Sequence, residues 1–338
     1  MWRLFKHYNI SSSYDGIMEV ADASKCDLDE CKEAGQINLM ALLEIITKRE
    51  WLWAAYVRAL NDLDFFRSLM NLVPLPLEQQ ITAKKWKKHL RDMEGFGILK
   101  RKARSCIKSF ARYFAVMKSD GLTARSMFNG KHLSRCFKSP PTTNLPDIAD
   151  VLKIIAMSDF LIIGDFRHYF HQFPLNEEIG GRFGLEQSDE AWIYTVLPMG
   201  WSWSPRIAQS SSMSILLEAS VRSWLMDLTA YKESPNPPSI IHFKKGSNGE
   251  VVGSAIVWYD NVLACFTDAQ SRDLYDEKLD ALTSDRELNV SWKEFKKWSR
   301  KDMAESRPEK DLPHYLGLVF ANGRGKRARD TDETPKIK

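Results

Sequence analysis

The sequence lacks the features of membrane and secreted proteins. It has no run of about 18 uncharged apolar residues, the length that a membrane-spanning helix needs. Its start, MWRLFKHYNISSS, lacks the basic and then apolar order of a secretory signal. The five cysteines are scattered and form no C-x-x-C pair, which argues against a disulfide scaffold and a zinc finger. We expect an intracellular protein, in the nucleus or the cytoplasm, that does not contact a membrane.

The charge of the chain is modest but uneven. The net charge is +4 over 338 residues, a length typical of about two domains. Twelve lysines and arginines, but only two acids, lie between residues 84 and 118, a segment called here the basic band. One interpretation is contact with nucleic-acid phosphates, because clustered cations displace the counterions of a polyanion. The other, which this segment alone favours, is a solvated helix face.

Apolar spacing predicts a helical start followed by a mixed remainder. Residues 1–94 are predicted to be mainly helical, because apolar residues recur with helical spacing through residues 37–60. From residue 95 onward, short apolar runs separated by turn dipeptides predict strands. Two strand-like runs at about 235–255 predict a hairpin or a surface insertion. The charged tail, 323–338, is predicted to be disordered and solubilising, with a nuclear-import signal as the alternative.

Two aspartates stand at the ends of two short apolar runs. Asp165 follows FLIIG (160–164) and Asp260 follows AIVWY (255–259). An ionised carboxylate in apolar surroundings is costly unless it is paired or binds a metal. The alternative, favoured for either residue alone, is that each aspartate only begins a turn. In the stretch SAIVWYDNVLACF, the pair Asp260-Asn261 is predicted to form the two-residue turn of a hairpin.

The segment LPMGWSWSPRIAQ (197–209) lies between the two aspartates. Its Gly200 permits a close backbone approach, and Ser204-Pro205 predicts the start of a helix from about Arg206 to Met226. Nearby, His168 and His171 resemble a pair of metal ligands. On a strand, residues three apart point to opposite faces, so a metal site there is disfavoured.

Five motifs follow one another between residues 95 and 322: KSDG (118–121) with a following arginine, DFRHYFHQFPL (165–175), LPMGWSWSP (197–205), WYDN (258–261), and the pair LNVSWKEF (288–295) and HYLG (314–317). In this order they resemble the reverse transcriptases of retroviruses and retrotransposons, and most of all those of long-terminal-repeat and tyrosine-recombinase elements. The resemblance implies an α+β fold with the fingers and palm of a right-hand polymerase, in which helices back an antiparallel palm sheet. Fingers are expected at 95–154 and the palm at 155–322.

The resemblance also assigns roles to single residues. Asp165 and Asp260 match the metal-binding carboxylates, which hold two Mg²⁺ ions, with Mn²⁺ as the alternative ion. Asn261 stands in place of a second catalytic aspartate. The implied nucleotide-binding residues are Lys118 and Arg125 at the triphosphate, Phe170 against a ribose 2′-hydroxyl, Met199 and Gly200 in the segment that holds nucleotide and template, and Lys293 near the phosphates.

The function implied is RNA-directed DNA polymerase, acting on an RNA or DNA template with primer and on deoxynucleoside triphosphates. Asn261, Met199 and the long span between residues 204 and 260 depart from the family pattern, so we expect reduced activity. The chain ends soon after the last palm motif, and we expect a thumb and an RNase H domain to be missing from it. The alternatives are a catalytically silent nucleic-acid-binding remnant and, against the bulk of Phe170, an RNA polymerase. Nothing in the sequence indicates the oligomeric state.

Overall fold

The computed structural model describes residues 24, 26, 34–71, 84–117, 122–224, 238–245, 249–304, 314–316, 318–321 and 324–327. Their α-helices are α1 (Leu39–Lys48), α2 (Leu63–Ser68), α3 (Lys87–Gly95), α4 (Lys131–Ser134), α5 (Ile148–Ala156), α6 (Glu177–Gly180), α7 (Ser204–Arg222), α8 (Ala269–Thr283) and α9 (Arg300–Ala304). Within these described residues, no helix is long and apolar enough to cross a membrane.

The strands begin after α3. They are β1 (Leu99–Arg101), β2 (Phe110–Ala111), β3 (Tyr113–Met117), β4 (Ala124–Phe128), β5 (Phe160–Phe166), β6 (Gly184–Gln187), β7 (Glu190–Tyr194), β8 (Ile241–Lys245), β9 (Glu250–Trp258), β10 (Asn261–Phe266), β11 (Trp292–Ser299), β12 (His314–Tyr315), β13 (Leu318–Ala321) and β14 (Arg324–Arg327). The predicted order, a helical start and then mixed helices and strands, is confirmed for the described residues.

The chain divides into two compact units, and each draws on separate stretches of the sequence. The first contains Met1–Ile37, Tyr56–Pro141 and His168–Ile207, and the second contains Asn38–Ala55, Thr142–Arg167 and Ala208–Lys338. The division into a helical region, fingers, palm and tail stays a prediction.

The first unit has a four-stranded sheet in the order β1-β7-β6-β2 and a separate β3-β4 hairpin. Strands β2 and β6 pair in parallel, while the other neighbours are antiparallel. Its core is aromatic, because large rings fill it and pack at centroid distances of 5.2 to 6.2 Å, which adds to the burial of their apolar area. These buried rings belong to Phe66, Phe128, Phe137, Phe183 and Trp201.

The second unit is built on a five-stranded sheet in the order β11-β5-β10-β9-β8, antiparallel throughout. Side chains alternate between the two faces of a strand, so β5 places Leu161 and Ile163 on one face, where they pack with Val151 and Ile155 of α5. On the other face, Tyr275 of α8 packs against rings of β8 and β10. The predicted α+β class, with helices backing an antiparallel sheet, is confirmed.

Helix α7 is unusual because serines fill a buried helix. Ser212, Ser214 and Ser220 have no exposed surface. The hydroxyls of Ser214 and Ser220 each donate to the carbonyl four residues earlier, so these buried polar atoms are satisfied within the helix. The predicted helix exists, but it begins two residues earlier than expected, at Ser204, and ends at Arg222. The predicted end, Met226, lies outside the described residues.

Two further sequence predictions concern hairpins and the tail. Strands β8 and β9 pair antiparallel, which confirms the hairpin predicted within 235–255, although residues 246–248 lie outside the described part. The tail prediction is wrong for Arg324–Arg327, because the main chain of this segment pairs with Leu318–Ala321 as a strand. Residues 328–338 of the predicted tail are outside the described residues.

Candidate active site

The hairpin β9-β10 carries Asp260 in its turn. Trp258 lies opposite Asn261, so the two turn residues are Tyr259 and Asp260. The prediction of an Asp260-Asn261 turn is therefore wrong by one residue, since Asn261 already belongs to β10 and pairs across the ladder. Tyr259 has a left-handed φ of 57°. For a residue with a side chain this conformation costs on the order of 1–3 kcal/mol and persists only where the surrounding structure imposes it.

Strand β5 brings Asp165 beside this turn. Asp165 lies opposite Asn261 of β10, and the amide of the next residue, Phe166, donates to the Asp260 carbonyl at 2.9 Å. Asp165 and Asp260 thus stand at the same end of the hydrogen-bonded strands β5 and β10, as the resemblance to reverse transcriptases implies. Both residues are half-buried. Their assigned role as metal ligands stays a prediction.

Asn261 is tied to Asp260 by its side chain. Its amide Nδ2 donates to Oδ1 of Asp260 at 2.9 Å. The Asn261 carbonyl accepts from the hydroxyl of Tyr315, 3.3 Å away. Burial, together with the nearby thiol of Cys265 and carboxylate of Asp260, raises the pKa of Tyr315 well above its ordinary value. The Tyr315 hydroxyl is therefore neutral and remains a donor at any physiological pH.

A bulge in β11 places a further carboxylate near the site. Trp292 lies opposite Phe166 and Glu294 opposite Asp165, so Lys293 is the extra residue between them. Residues paired directly across strands share a face, which puts Glu294 on the face of Asp165, where its carboxylate pairs with Lys296. Lys293 is exposed. The sequence pattern missed Glu294, because a bulge reverses the alternation of the strand and leaves no local signal.

Helix α7 contacts the turn through two polar side chains that no sequence motif indicates. Gln209 bonds to the main chain of Val257 and Tyr259, and Ser212 donates to the carbonyl of Tyr259. The available signal was their spacing, since residues three apart share one face of a helix.

The remaining predicted site residues belong to the first unit, apart from Lys118, which lies outside the described residues. Arg125 is exposed on β4, and Phe170 is half-buried in a 3₁₀ turn, Tyr169–Gln172. The carbonyl of Met199 accepts from the amide of Phe128 at 3.2 Å. Their assigned roles in nucleotide binding stay predictions.

Gly200 makes the close approach that the sequence predicts. It has a φ of 125°, and a Cβ atom added there would lie 1.9 Å from the carbonyl oxygen of Phe128. Only glycine fits this position, because both the backbone conformation and the contact exclude a side chain. The approach is to the end of β4, which places the segment around Met199 against the β3-β4 hairpin.

The two histidines of the DFRHYFHQFPL segment do not point to opposite faces. His168 directly precedes the 3₁₀ turn and His171 lies within it, so neither is on a strand. Their rings stack with centroids 5.7 Å apart and planes 11° apart. Burial, and the neighbouring His168, lower the pKa of His171 to about 3. Within the described residues, no three or more His, Cys, Asp or Glu side chains are grouped so as to hold a metal ion.

Half of the cations of the basic band pair with acids from a later part of the chain. Glu190 pairs with Lys87, Arg91 and Arg101 at N–O distances of 2.9 to 3.2 Å. Glu177 pairs with both Lys100 and Lys102, whose hydrogen bonds lower the pKa of Glu177 to about 2. Arg104 pairs with Glu186. Six of the twelve cations in the band therefore pair with acids of the same chain. These six are neither free to contact phosphates nor simply solvated on a helix face, so both interpretations of the band need this change.

The donor chemistry of the site suits a hard cation. Asp165 and Asp260 offer carboxylate oxygens, which Mg²⁺ prefers, and Asn261 adds a neutral amide oxygen at the same end of the sheet. One oxygen of Asp260 accepts from Asn261, which fixes how the carboxylate is turned. The residues present fit a divalent metal.

Comparison with known proteins finds similarity in fold but not in sequence. No family model matches the sequence, and no curated protein matches it significantly. The foamy viral protease-reverse transcriptase dRH in complex with double-stranded DNA is similar in structure, with 15% identity, a TM-score of 0.50 and coverage of 76% of this chain and 37% of that chain. A prototype foamy virus protease-reverse transcriptase CSH mutant has 15% identity, a TM-score of 0.47 and coverage of 67% and 26%. The chain has a reverse-transcriptase-like fold and spans well under half of these proteins.

Proposed function

We propose that the chain is an RNA-directed DNA polymerase of a retroelement, of the long-terminal-repeat or tyrosine-recombinase type. The reaction is template-directed transfer of a nucleotide from a deoxynucleoside triphosphate to the 3′ end of a primer, on RNA or DNA. The observation that carries the proposal is the placement of Asp165 and Asp260 at one end of β5 and the β9-β10 hairpin. The reverse-transcriptase-like fold supports it.

In this proposal Asp165 and Asp260 hold two Mg²⁺ ions. Bound there, the ions make the primer hydroxyl more acidic and neutralise charge on the triphosphate. Asn261 keeps the Asp260 carboxylate oriented through its amide. The chain itself supplies positioning and charge, which account for most of the acceleration in phosphoryl transfer, and forms no covalent intermediate.

The residues proposed to bind the nucleotide are Lys118, Arg125, Phe170, Met199, Gly200 and Lys293. Arg125 and Lys118 contact the triphosphate oxygens, for which a planar guanidinium and a compact ammonium are well suited. Phe170 excludes a ribose 2′-hydroxyl, so deoxynucleotides are preferred. Met199 and Gly200 form part of the platform for nucleotide and template.

A second candidate is a nucleic-acid-binding remnant without catalysis. The observation that favours it is the neutral amide of Asn261 beside Asp260. A carboxylate at this position would add negative charge and raise the affinity for Mg²⁺. This candidate predicts salt-dependent binding of primer and template with no extension at any Mg²⁺ or Mn²⁺ concentration.

Primer extension on an RNA template with deoxynucleotides tests the proposal. Extension by the unaltered chain and its loss in Asp165→Ala are expected, while Asp280→Ala, an exposed change of the same kind on α8, should leave extension unchanged. Extension that survives Asp165→Ala contradicts the assignment. Binding without extension by the unaltered chain selects the second candidate, and ribonucleotide incorporation at the rate of deoxynucleotides contradicts the role of Phe170.

A further inference from the structure

We propose that Gln209 and Ser212 of α7 are positioning residues that hold the Tyr259–Asp260 turn and thereby orient Asp260. The effect of this orientation on catalysis rests on the proposed function. The physical claim about the turn is separate from that function and is testable by itself. All four residues lie in the second unit.

Gln209 forms a two-point contact with the end of β9. Its Nε2 donates to the carbonyl of Val257 at 2.9 Å, and its Oε1 accepts from the amide of Tyr259 at 2.7 Å. The side chain has no exposed surface. A primary amide offers one donor and one acceptor on the same planar group, so its two bonds match the carbonyl and the amide that it meets.

Ser212 holds the other side of the same residue. Its hydroxyl donates to the carbonyl of Tyr259 and also lies 3.1 Å from the carbonyl of Ala208 in its own helix. Together, Gln209 and Ser212 bind both the amide and the carbonyl of Tyr259. The two peptide planes that flank Tyr259 are therefore fixed by α7.

Tyr259 is where the turn needs this support. Its left-handed φ of 57° is unfavourable for a residue with a side chain, and glycine, which tolerates it, is absent from the turn. Asp260 follows directly, so a change in the Tyr259 backbone angles would swing the carboxylate away from Asp165. The bonds from α7 offset the backbone cost and keep one conformation populated.

A comparison within α7 separates this role from ordinary packing. Ser214 is as deeply buried as Ser212, but its hydroxyl donates to the carbonyl of Ser210 within the helix, at 2.8 Å. Ser214→Ala therefore removes a buried hydroxyl of α7 without removing a bond to the turn. It is the matched control for Ser212→Ala.

The test is hydrogen exchange of the full chain, followed at the Tyr259 amide. Gln209→Leu should accelerate exchange there by roughly tenfold or more, because it removes the acceptor of a buried amide. Ser212→Ala should accelerate it by a few-fold. Ser214→Ala should leave this amide within about twofold of the unaltered chain, since its lost bond is to its own helix.

Gln209→Glu supplies a rescue that simple packing would not show. When protonated, the carboxyl group keeps one donor and one acceptor and copies the amide, whereas the carboxylate loses the donor to Val257. Burial raises the pKa of a carboxyl group, so protection of Tyr259 in this variant should be near normal at pH 5 and fall as pH rises toward 8. The unaltered chain should not show this fall once intrinsic exchange rates are divided out.

Primer extension by the same variants tests whether the orientation of Asp260 by α7 contributes to catalysis. Gln209→Leu should lower kcat by about a hundredfold with KM for the nucleotide changed by less than about threefold, because the loss concerns orientation of Asp260. Unchanged exchange at Tyr259 in Gln209→Leu, or no pH dependence in Gln209→Glu, overturns the inference. If the unaltered chain does not extend primers, the proposed function fails while the exchange results still decide the role of α7.

Discussion

At the scale of single residues, the structure differs from the sequence prediction in the turn position of Asp260 and in the hydrogen bond that its carboxylate accepts. Asp260 is the second turn residue, after a strained Tyr259, and its carboxylate accepts from the side chain of Asn261. An aspartate at position 261 could not donate in this way and would instead place two like charges side by side. Asn261 therefore orients Asp260 in the absence of metal, at the cost of charge for binding one.

Asn261→Asp is expected to lower the Mg²⁺ concentration needed for half-maximal extension by about tenfold, because carboxylate ligands raise the affinity for this cation. Extension rates across a Mg²⁺ titration provide the measurement. Asn261→Ala is the control, since it removes the bond to Asp260 without adding charge, and it should raise the required Mg²⁺ concentration. An unchanged titration in Asn261→Asp would show that the residue at 261 does not contribute to metal binding.

At the scale of elements, two residues of the first unit are tightly enclosed by their neighbours. Gly200 meets the carbonyl of Phe128 at the end of β4, and His89 of α3 is buried between Trp86 and Tyr113. Desolvation is the larger influence on His89 and lowers its pKa to about 4, although Asp92 acts in the opposite direction. Each position gives a testable consequence for stability.

Gly200→Ala is expected to destabilise the chain by more than about 3 kcal/mol, because the methyl group would collide with main-chain atoms in a backbone conformation that disfavours it. Urea unfolding measures the free energy. Gly95→Ala at the end of α3 is the matched control, since an added Cβ there meets nothing within 4 Å. That variant should change stability by less than about 1 kcal/mol. Equal effects in the two variants would contradict the packing of Gly200 against β4.

His89 should make stability fall as pH drops from about 6.5 toward 4. In this window the unfolded chain binds a proton that the folded chain does not, because the folded pKa is depressed. The full slope for one such group is about 1.4 kcal/mol per pH unit. Unfolding free energies between pH 4.5 and 7 give the measurement, and His89→Gln, which cannot titrate, should flatten the dependence. The same slope in both proteins would show that folding does not depress the pKa of His89.

At the scale of the whole molecule, the distribution of charge is decided by pairs between distant segments. The basic band is a run of cations in the sequence, yet Glu177, Glu186 and Glu190 pair with half of its members. A paired cation releases fewer counterions from a polyanion than an unpaired one, since its charge is already balanced. The unpaired positive charge on the band is therefore smaller than its composition suggests.

Glu190→Gln should strengthen binding of primer-template and steepen its salt dependence, because it leaves Lys87, Arg91 and Arg101 without their shared partner. An increase of about one to two in the slope of log K against log salt is expected. Fluorescence anisotropy with labelled duplex at several salt concentrations measures it. Glu178→Gln, the same charge change at an exposed position of α6, is the control. Equal slopes in the two variants would mean that the band does not meet nucleic acid.

The sequence alone determined what depends on neighbours along the chain. Helical and strand periodicity, the glycine at 200, the helix after Pro205 and the place of both aspartates after apolar runs are all local patterns, and the structure contains each of them. The α+β fold and the joint role of the two carboxylates were predicted from the order of the motifs and their resemblance to reverse transcriptases, not from any local pattern alone.

Only the tertiary structure decided what depends on pairing between distant segments. The register of β9 with β10 puts Tyr259 and Asp260 in the turn, and the bulge at Lys293 places Glu294 opposite Asp165. The bonds from Gln209 to the turn and from Glu190 to the basic band also join residues far apart in sequence. Each of these features depends on which main-chain and side-chain groups meet after folding. A shift of one residue in strand register would move every side chain of the strand to the opposite face of the sheet.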